Sequence, residues 1–355
     1  MEASNRARAY TAVWWNFIPP MASYFCACSA APSTRHRPPA TSLLWILLLL
    51  VLALSACNNA EAAAPRVLIV KSGSASVYNR IISATRERVD RICSDKDTRC
   101  SKPSISVETV SNTKKIRSMT KDKKWDLIVA VGTKAAERLN RFKINTPILY
   151  SLIPSSSYPR IRGRSSSRHK SAIYIDQPIT RQLKLIKSAM PGRKKVGVLL
   201  GNYSGIGTQH LKQLIRRLGL TPVVMRVSPK NIGNRLDNIY SRIDVLLALP
   251  DPSVYNKQSV LKVLLSSYRH RVPVIGYSAA FVKSGATAGI YSTPRNIGHH
   301  IGDEVAKFFS NNPSRFSPPA HPRYFTVNTN RRVINSINIK MPSRKTIMSK
   351  IRKAK

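Results

Sequence analysis

DLIVAVGTKAA, residues 126–136, decides how the chain is read. Leu127 to Gly132 is a short run with almost no polar content, too brief for a core helix and ending on Gly-Thr, so it predicts a buried strand. Lys134-Ala135-Ala136-Glu137 then suits the first turn of a helix. The same sequence of events recurs at DVLLALPDPSV, residues 244–254. Each stretch is expected to be the mouth of one lobe of a two-lobed ligand trap.

Around these two points strand-like and helix-like segments alternate. RVLIVKS (66–72), SISVETV (104–110), DLIVAVG and TPILYSLI (146–153) read as strands; VYNRIISATRERVDRI (77–92), KKIRSMTKDKKW and TKAAERLNRF read as helices between them. After a Ser- and Arg-rich stretch, SSSYPRIRGRSSSRHK (155–170), the rhythm restarts: RKKVGVLLG (193–201), TPVVMRVS, DVLLALP and VPVIGYS (272–278) are strands. GTQHLKQLIRRLG, NIGNRLDNIYSRI and SVYNKQSVLKVLLSSYRHR are the helices that separate them. Two runs of βαβαβαβ predict an α/β fold made of a duplicated, doubly wound parallel-sheet unit, with helices on both faces. Ligands bind such sheets beyond the carboxyl ends of the strands, where loops and helix N-termini offer free backbone donors. Two sheets with facing strand ends therefore enclose a cleft.

The chain has 355 residues, enough for two such units, and 59 Lys and Arg against 16 Asp and Glu give a net charge of +43. A field of that size attracts anions of every kind without choosing among them. The charges are scattered along every segment, unlike the clustered bases of a nucleic-acid reader, and no specific nucleic acid is expected as a partner.

Arg35, His36 and Arg37 precede the apolar run LLWILLLLVLAL (43–54), which ends in Ser55-Ala56-Cys57. A basic flank, an apolar core too short to span a bilayer and small residues at the exit describe an export signal over residues 1–56, with translation starting at Met1 or Met21. Leu54-Ser55-Ala56-Cys57 resembles the lipobox of bacterial lipoproteins, which implies lipidation at Cys57 and attachment to a membrane. The first 56 residues carry only four arginines and one glutamate, so the basic character belongs to the remainder. Cys26 and Cys28 fall in the leader, and the remaining pair, Cys93 and Cys100, is expected to form a disulfide in an oxidising compartment. No His or Cys spacing supplies a metal site.

Taken together, DLIVAVGTKAAERL with TPILYSLIP, IYIDQPITRQLKLIKSAMP (173–191), KVGVLLGNYSG, DVLLALPDPSVYN, VPVIGYSAAFVKSGATAGIYSTPRNIGHHIGDEVAKFF (272–309) and FTVNTNRRVINSINIKMP resemble the substrate-binding lipoproteins of ABC transporters with the type I periplasmic-binding-protein fold. The resemblance implies two lobes joined by crossing strands that act as a hinge. Lobe 1 would span 65–172 with part of 279–310, and lobe 2 would span 173–278 with about 311–342, followed by a basic tail, 343–355. It implies a ligand site made of Ser74, Thr133, Tyr150, Ser151, Asn202, Ser204, Asp251, Tyr277 and Ser278. Thr133 would offer its hydroxyl to an acceptor, and Asp251 would take an ammonium or hydroxyl or, alternatively, cap the following helix. Tyr150, Tyr255 or Tyr277 would stack on a ring or serve packing. The implied partners are a small solute and an ABC permease; the implied state is a monomer without cofactor on the periplasmic face of the bacterial envelope. A ligand bearing carboxylate or phosphate would suit the overall field.

Rival readings are weaker. LLGNYSGIG (199–207) has the glycines of a dinucleotide loop, with Arg226 placed for a 2′-phosphate, but no tyrosine has a lysine four residues on, as short-chain dehydrogenases need. There is no G-x-S-x-G and no H-E-x-x-H. His299 and His300 lie beside Asp303 and Glu304 on a helix, where adjacent histidines point about 100° apart and His299 shares a face with Asp303, and a packing role is expected. A sensory or structural envelope lipoprotein of the same fold remains the main alternative.

Overall fold

Parallel strands flanked by helices make up the chain in a computed structural model that describes residues 63–353 except 122, 123, 143, 164–168 and 311–314. The leader, Cys26, Cys28 and the lipidation candidate Cys57 lie outside the described residues. From Ala63 onward the chain forms one compact unit holding two sheets.

The first sheet contains β1 (Arg66–Lys71), β2 (Ser104–Thr109), β3 (Leu127–Val131), β4 (Ile148–Ile153) and β5 (Lys170–Tyr174), all parallel, in the order β2-β1-β3-β4-β5. Its crossover helices are α1 (Ser76–Cys93), α2 (Thr113–Lys121), α3 (Thr133–Asn140) and α4 (Tyr158–Arg162). The second sheet contains β6 (Lys195–Leu200), β7 (Thr221–Arg226), β8 (Val245–Leu247), β9 (Val274–Gly276), β10 (Ala288–Tyr291) and β11 (Thr326–Thr329), in the order β11-β10-β9-β8-β6-β7. Only β11 runs antiparallel to its neighbour. With β11 set aside, β7-β6-β8-β9-β10 repeats the order of β2-β1-β3-β4-β5, so the duplication read from the sequence is a duplication of topology. The helices of this half are α5 (Ile179–Ala189), α6 (Thr208–Arg217), α7 (Ile232–Tyr240), α8 (Ser259–Arg269) and α9 (Ala279–Lys283). They are followed by α10 (Pro294–Ser310), α11 (Arg331–Ser336) and α12 (Arg344–Lys353).

Both faces of each sheet are covered, which is why the strands read as unbroken apolar runs. Along β1, Val67 and Ile69 enter one core while Leu68 and Val70 enter the core on the opposite face. The helix α10 returns to the first lobe and packs on α1. Gly298 and Gly302 permit that approach, because a Cβ on Gly298 would lie 2.4 Å from the Ile81 carbonyl oxygen. The segment read as a basic tail carries α12, whose Ile347 and Ile351 are buried in the second lobe. The disulfide joins Cys93 at the end of α1 to Cys100.

Among the described residues three connections cross between the lobes: Ile175–Pro178 after β5, Ser292–Thr293 after β10, and His321–Phe325 ahead of β11. They are tied to one another. Gln177 Nε2 donates to Ser292 Oγ at 2.8 Å, and Ser292 Oγ donates to the Tyr324 carbonyl at 2.6 Å. Arg181 donates to Gln177 Oε1 at 2.6 Å and to the Pro322 carbonyl at 2.8 Å, and lies over the Phe325 ring. In the first lobe, Ala320 bridges β5 by exchanging backbone hydrogen bonds with Ala172 and Tyr174.

Candidate functional site

A cavity of about 920 Å³ opens between the lobes at the carboxyl ends of the strands. On the first lobe it is walled by Pro154–Ser157, which follow β4, and by Ile175–Pro178, which follow β5. Facing them are Asn202–Ile206 after β6, Leu249–Pro252 after β8, Tyr255, and Tyr277 after β9. The walls touch: a Cβ on Gly205, whose φ is +67°, would lie 2.9 Å from Ser156 Cβ.

Asp251 organises the second-lobe wall. It is 1% exposed, and both its oxygens are fully used. Oδ2 accepts from the Tyr203 N–H at 3.0 Å and the Ser204 hydroxyl at 2.7 Å, and Oδ1 accepts from the Ser253 N–H at 2.8 Å and the Ser253 hydroxyl at 2.6 Å. Burial favours its neutral acid, but the hydrogen bonds from Ser204, Ser253 and Tyr203 outweigh that and hold the carboxyl below its usual range. The same bonds turn the chain through residues 252–258 and delay the start of α8 to Ser259, six residues later than the apolar pattern from Ser253 predicts. Asp251 therefore caps this turn and not the helix. They also account for the glycine loop after β6. The N–H groups of Gly201, Asn202 and Tyr203 donate to Ser204 Oγ, Ser253 Oγ and Asp251 Oδ2, so the donors a dinucleotide phosphate would need are already taken by the protein's own acceptors.

On the first-lobe wall Asp176 plays the matching part. It accepts from the Ser155 N–H and the Ser155 hydroxyl, both at 2.7 Å, and lies 3.3 Å from His321 Nδ1. Deeper in, the Tyr255 hydroxyl and Gln182 Oε1 are buried without a hydrogen-bond partner. Gln182 Nε2 donates to the Gln177 carbonyl at 3.2 Å, which leaves Oε1 as the free end. Tyr255 packs edge-on against Tyr277 and Phe281, and burial raises its phenol well above the ordinary value.

Of the nine ligand-site residues expected from the sequence, Asn202, Ser204, Asp251 and Tyr277 line this cavity together. Ser74 lies elsewhere, in a separate depression of about 470 Å³ on the first lobe, beside Ser72, Thr109, Lys134 and Arg138. Thr133 is the first residue of α3 and lines neither; the helix receives its side-chain cap from Ser72, whose Oγ accepts from the Ala135 N–H at 2.9 Å. Tyr150 and Ser151 are fully buried inside β4, three and two residues short of the strand's end, with Tyr150 against Tyr158 in the core. Ser278 caps α9 by accepting from the Phe281 N–H at 3.1 Å. The residues the sequence reading missed are Ser155–Ser157, Asp176, Gln177, Gln182, His210 and His321. The Asp-Gln-Pro that closes β5 was a visible strand end of the kind sought.

The acidic cluster on α10 is internal. Asp303 accepts from Arg88 at 2.6 Å, from the Tyr324 hydroxyl at 2.7 Å and from Arg323 at 3.1 Å, while Glu304 lies 3.9 Å from His300. Burial and Arg323 lower the His300 pKa against the opposing pull of Glu304 and Asp303. Among the described residues no group of His, Cys, Asp and Glu is arranged to hold a metal.

Two wound lobes with a tied hinge and a cavity at their strand ends define a solute-binding protein of the type I periplasmic-binding kind. The sequence model of the family described as ABC transporter substrate binding protein matches residues 106–347, and the chain belongs to that family. A comparison with curated protein sequences finds no match. Among solved structures, the chain is similar to a ligand-free, open substrate-binding protein with adhesive properties from Clostridium difficile, at 18% identity and a TM-score of 0.64, covering 79% of this chain and 96% of that one. It is also similar to an ABC domain in complex with L-Trp from Streptococcus pneumonia, at 16% identity and a TM-score of 0.52, covering 81% and 98%. A periplasmic ribose ABC transporter protein from Conexibacter woesei matches at 12% identity and a TM-score of 0.50, covering 80% and 98%. At these identities the likeness is one of fold.

Proposed function

We propose that this chain captures a small solute in the cavity between its lobes and hands it to an ABC permease, working outside the cytoplasm on a lipid anchor at Cys57 and as a monomer. The observation that carries the reading is the cavity itself: it lies at the strand ends of both lobes of a chain that belongs to a transporter substrate-binding family. Contacts contributed by both walls exist only when the lobes are together, so a bound solute shifts the population towards closure. Asn202, Ser204, Asp251 and Tyr277 serve as the second-lobe side of the site, with Ser155, Asp176 and Gln177 opposite.

Thermal-shift titration of the whole chain with amino acids, sugars, nucleosides and small amines tests the reading. One class raises Tm saturably. A flat response to every class, together with stabilisation by a purified envelope protein, would favour the sensory or structural alternative instead. Metabolic labelling with a fatty acid, lost in Cys57→Ser, tests the anchor.

A further inference from the structure

The cavity is the place where the chain's charge reverses. Lysine and arginine outnumber the acids more than three to one over the sequence, 59 against 16, yet no lysine or arginine is among the described residues lining the cavity, whereas Asp176 and Asp251 both are. Asp251 is satisfied entirely by hydroxyls and backbone N–H groups. Such donors stabilise an ionised carboxylate without cancelling its charge. Between two protein walls, where the field is damped less than in bulk water, that charge acts through space on whatever lies a few ångströms away.

Two further observations agree on the sign. The N–H groups of Gly201, Asn202 and Tyr203, which would otherwise receive an anion, are occupied by Ser204, Ser253 and Asp251. Gln182 Oε1, buried and without a protein partner, is an acceptor that a donating ligand in the cavity would satisfy. Tyr203, Tyr255, Tyr277, Ile175, Ile206 and Leu249 add apolar and ring-bearing surface, beside polar Ser155–Ser157 and Asn202 and the two histidines His210 and His321, the latter 3.3 Å from Asp176. Tyr203 is 68% exposed at the rim, which frees its ring to cover a flat solute.

We propose that the solute is a cation, an amine with a flat apolar body, and that the cavity rejects anions despite the basic exterior. The ammonium lies in the field of Asp251 and Asp176 and donates to Gln182 Oε1; the apolar body lies against the tyrosines. This inference rests on the solute-binding reading and narrows it. It replaces the expectation, drawn from total charge, that a carboxylate or phosphate would be preferred.

The test uses four probes that share one ring and differ in charge: 2-phenylethylamine, 2-phenylethanol, phenylalanine and phenylacetate. Calorimetric titration of the whole chain is expected to rank the amine at least about tenfold tighter than the alcohol, which follows from one unit charge several ångströms from a carboxylate at the intermediate dielectric of a protein surface. Phenylacetate is expected to be the weakest. Asp251→Asn, shown to be folded by its circular dichroism, should cut the amine's advantage over the alcohol several-fold, leaving what Asp176 supplies. Should that variant not fold, Gln182→Leu carries the test, because it removes the lone acceptor without touching the Asp251 turn and should weaken the amine several-fold. Phenylacetate or phenylalanine binding as tightly as the amine, or an amine preference unmoved by the substitutions, overturns the charge assignment while leaving solute capture intact. Failure of all four at millimolar concentration while a sugar or nucleoside binds overturns the proposed solute class. Failure of every solute of any class removes the solute-binding reading itself.

Discussion

Gly205→Ala separates the cost of folding from the cost of closing. Gly205 has φ +67°, and its added Cβ would meet Ser156 Cβ at 2.9 Å and Ser156 Oγ at 3.2 Å. The left-handed backbone costs an alanine about 1–2 kcal/mol whether the lobes are open or shut, and this appears as a fall in Tm of about 2–4 °C per kcal/mol. The contact with Ser156 is different, since it exists only where the lobes meet. Carbon atoms rest at about 3.5–4.0 Å, so the walls must part by somewhat under an ångström or repack. A cost of about 1–2 kcal/mol of overpacking corresponds to roughly a tenfold loss of solute affinity. Ser156→Gly removes both clashing atoms. In calorimetric titrations with a solute that scores in the thermal panel, Gly205→Ala should bind about tenfold more weakly, and Gly205→Ala with Ser156→Gly should recover most of that loss while keeping the lowered Tm. An unchanged affinity in the single variant, or no recovery in the double, refutes the claim that these two turns meet across the closing gap.

Other outcomes follow from particular contacts. Gly298→Ala drives a methyl into the Ile81 carbonyl and should cost about 1–3 kcal/mol in denaturant titration, with solute affinity spared in the folded fraction. Reduction of Cys93–Cys100, or Cys93→Ser, should lower stability by about 2–3 kcal/mol at most and leave binding unchanged, because the bridge closes the far end of α1 from the strand ends. His300 has its pKa lowered by burial and Arg323, so its neutral form is the folded one. Its contribution is complete above the ordinary imidazole value near 6.5 and is lost as pH falls below it. Tm should therefore decline between about pH 7 and pH 5, and His300→Gln should flatten that decline; an identical pH profile would reject the assignment.

Much of the architecture could be read from residues alone because each strand buries both faces and so announces itself as an apolar run. The repeat order and the placement of Asp251 and Tyr277 were legible for that reason, and the cysteine pair because only two cysteines remain once the leader and Cys57 are set aside. Tyr150 and Ser151 show where the reading stops. They sit near a strand end, but β4 continues to Ile153 through a register shift beside Leu152, whose φ is +57°. No periodicity reveals so local an irregularity. Thr133 illustrates a second limit, since the cap of α3 comes from Ser72, sixty-three residues before the Ala135 N–H it accepts from, and only the folded chain brings them together. The sign of the cavity was hidden for a third reason. Composition sums the whole surface, whereas the pocket samples a handful of side chains that the sum outweighs.

Three abreast, the links between the lobes constrain how the molecule can move. A single tether would let one half swivel freely against the other; with Gln177, Ser292 and Tyr324 laced together, twisting any one strand would strain its neighbours, and bending all of them about a common axis is the soft direction left. Such a joint works like a door on several pins. A solute that enters is met by the same opposing surfaces on every swing, and the transporter downstream has one shut silhouette to recognise.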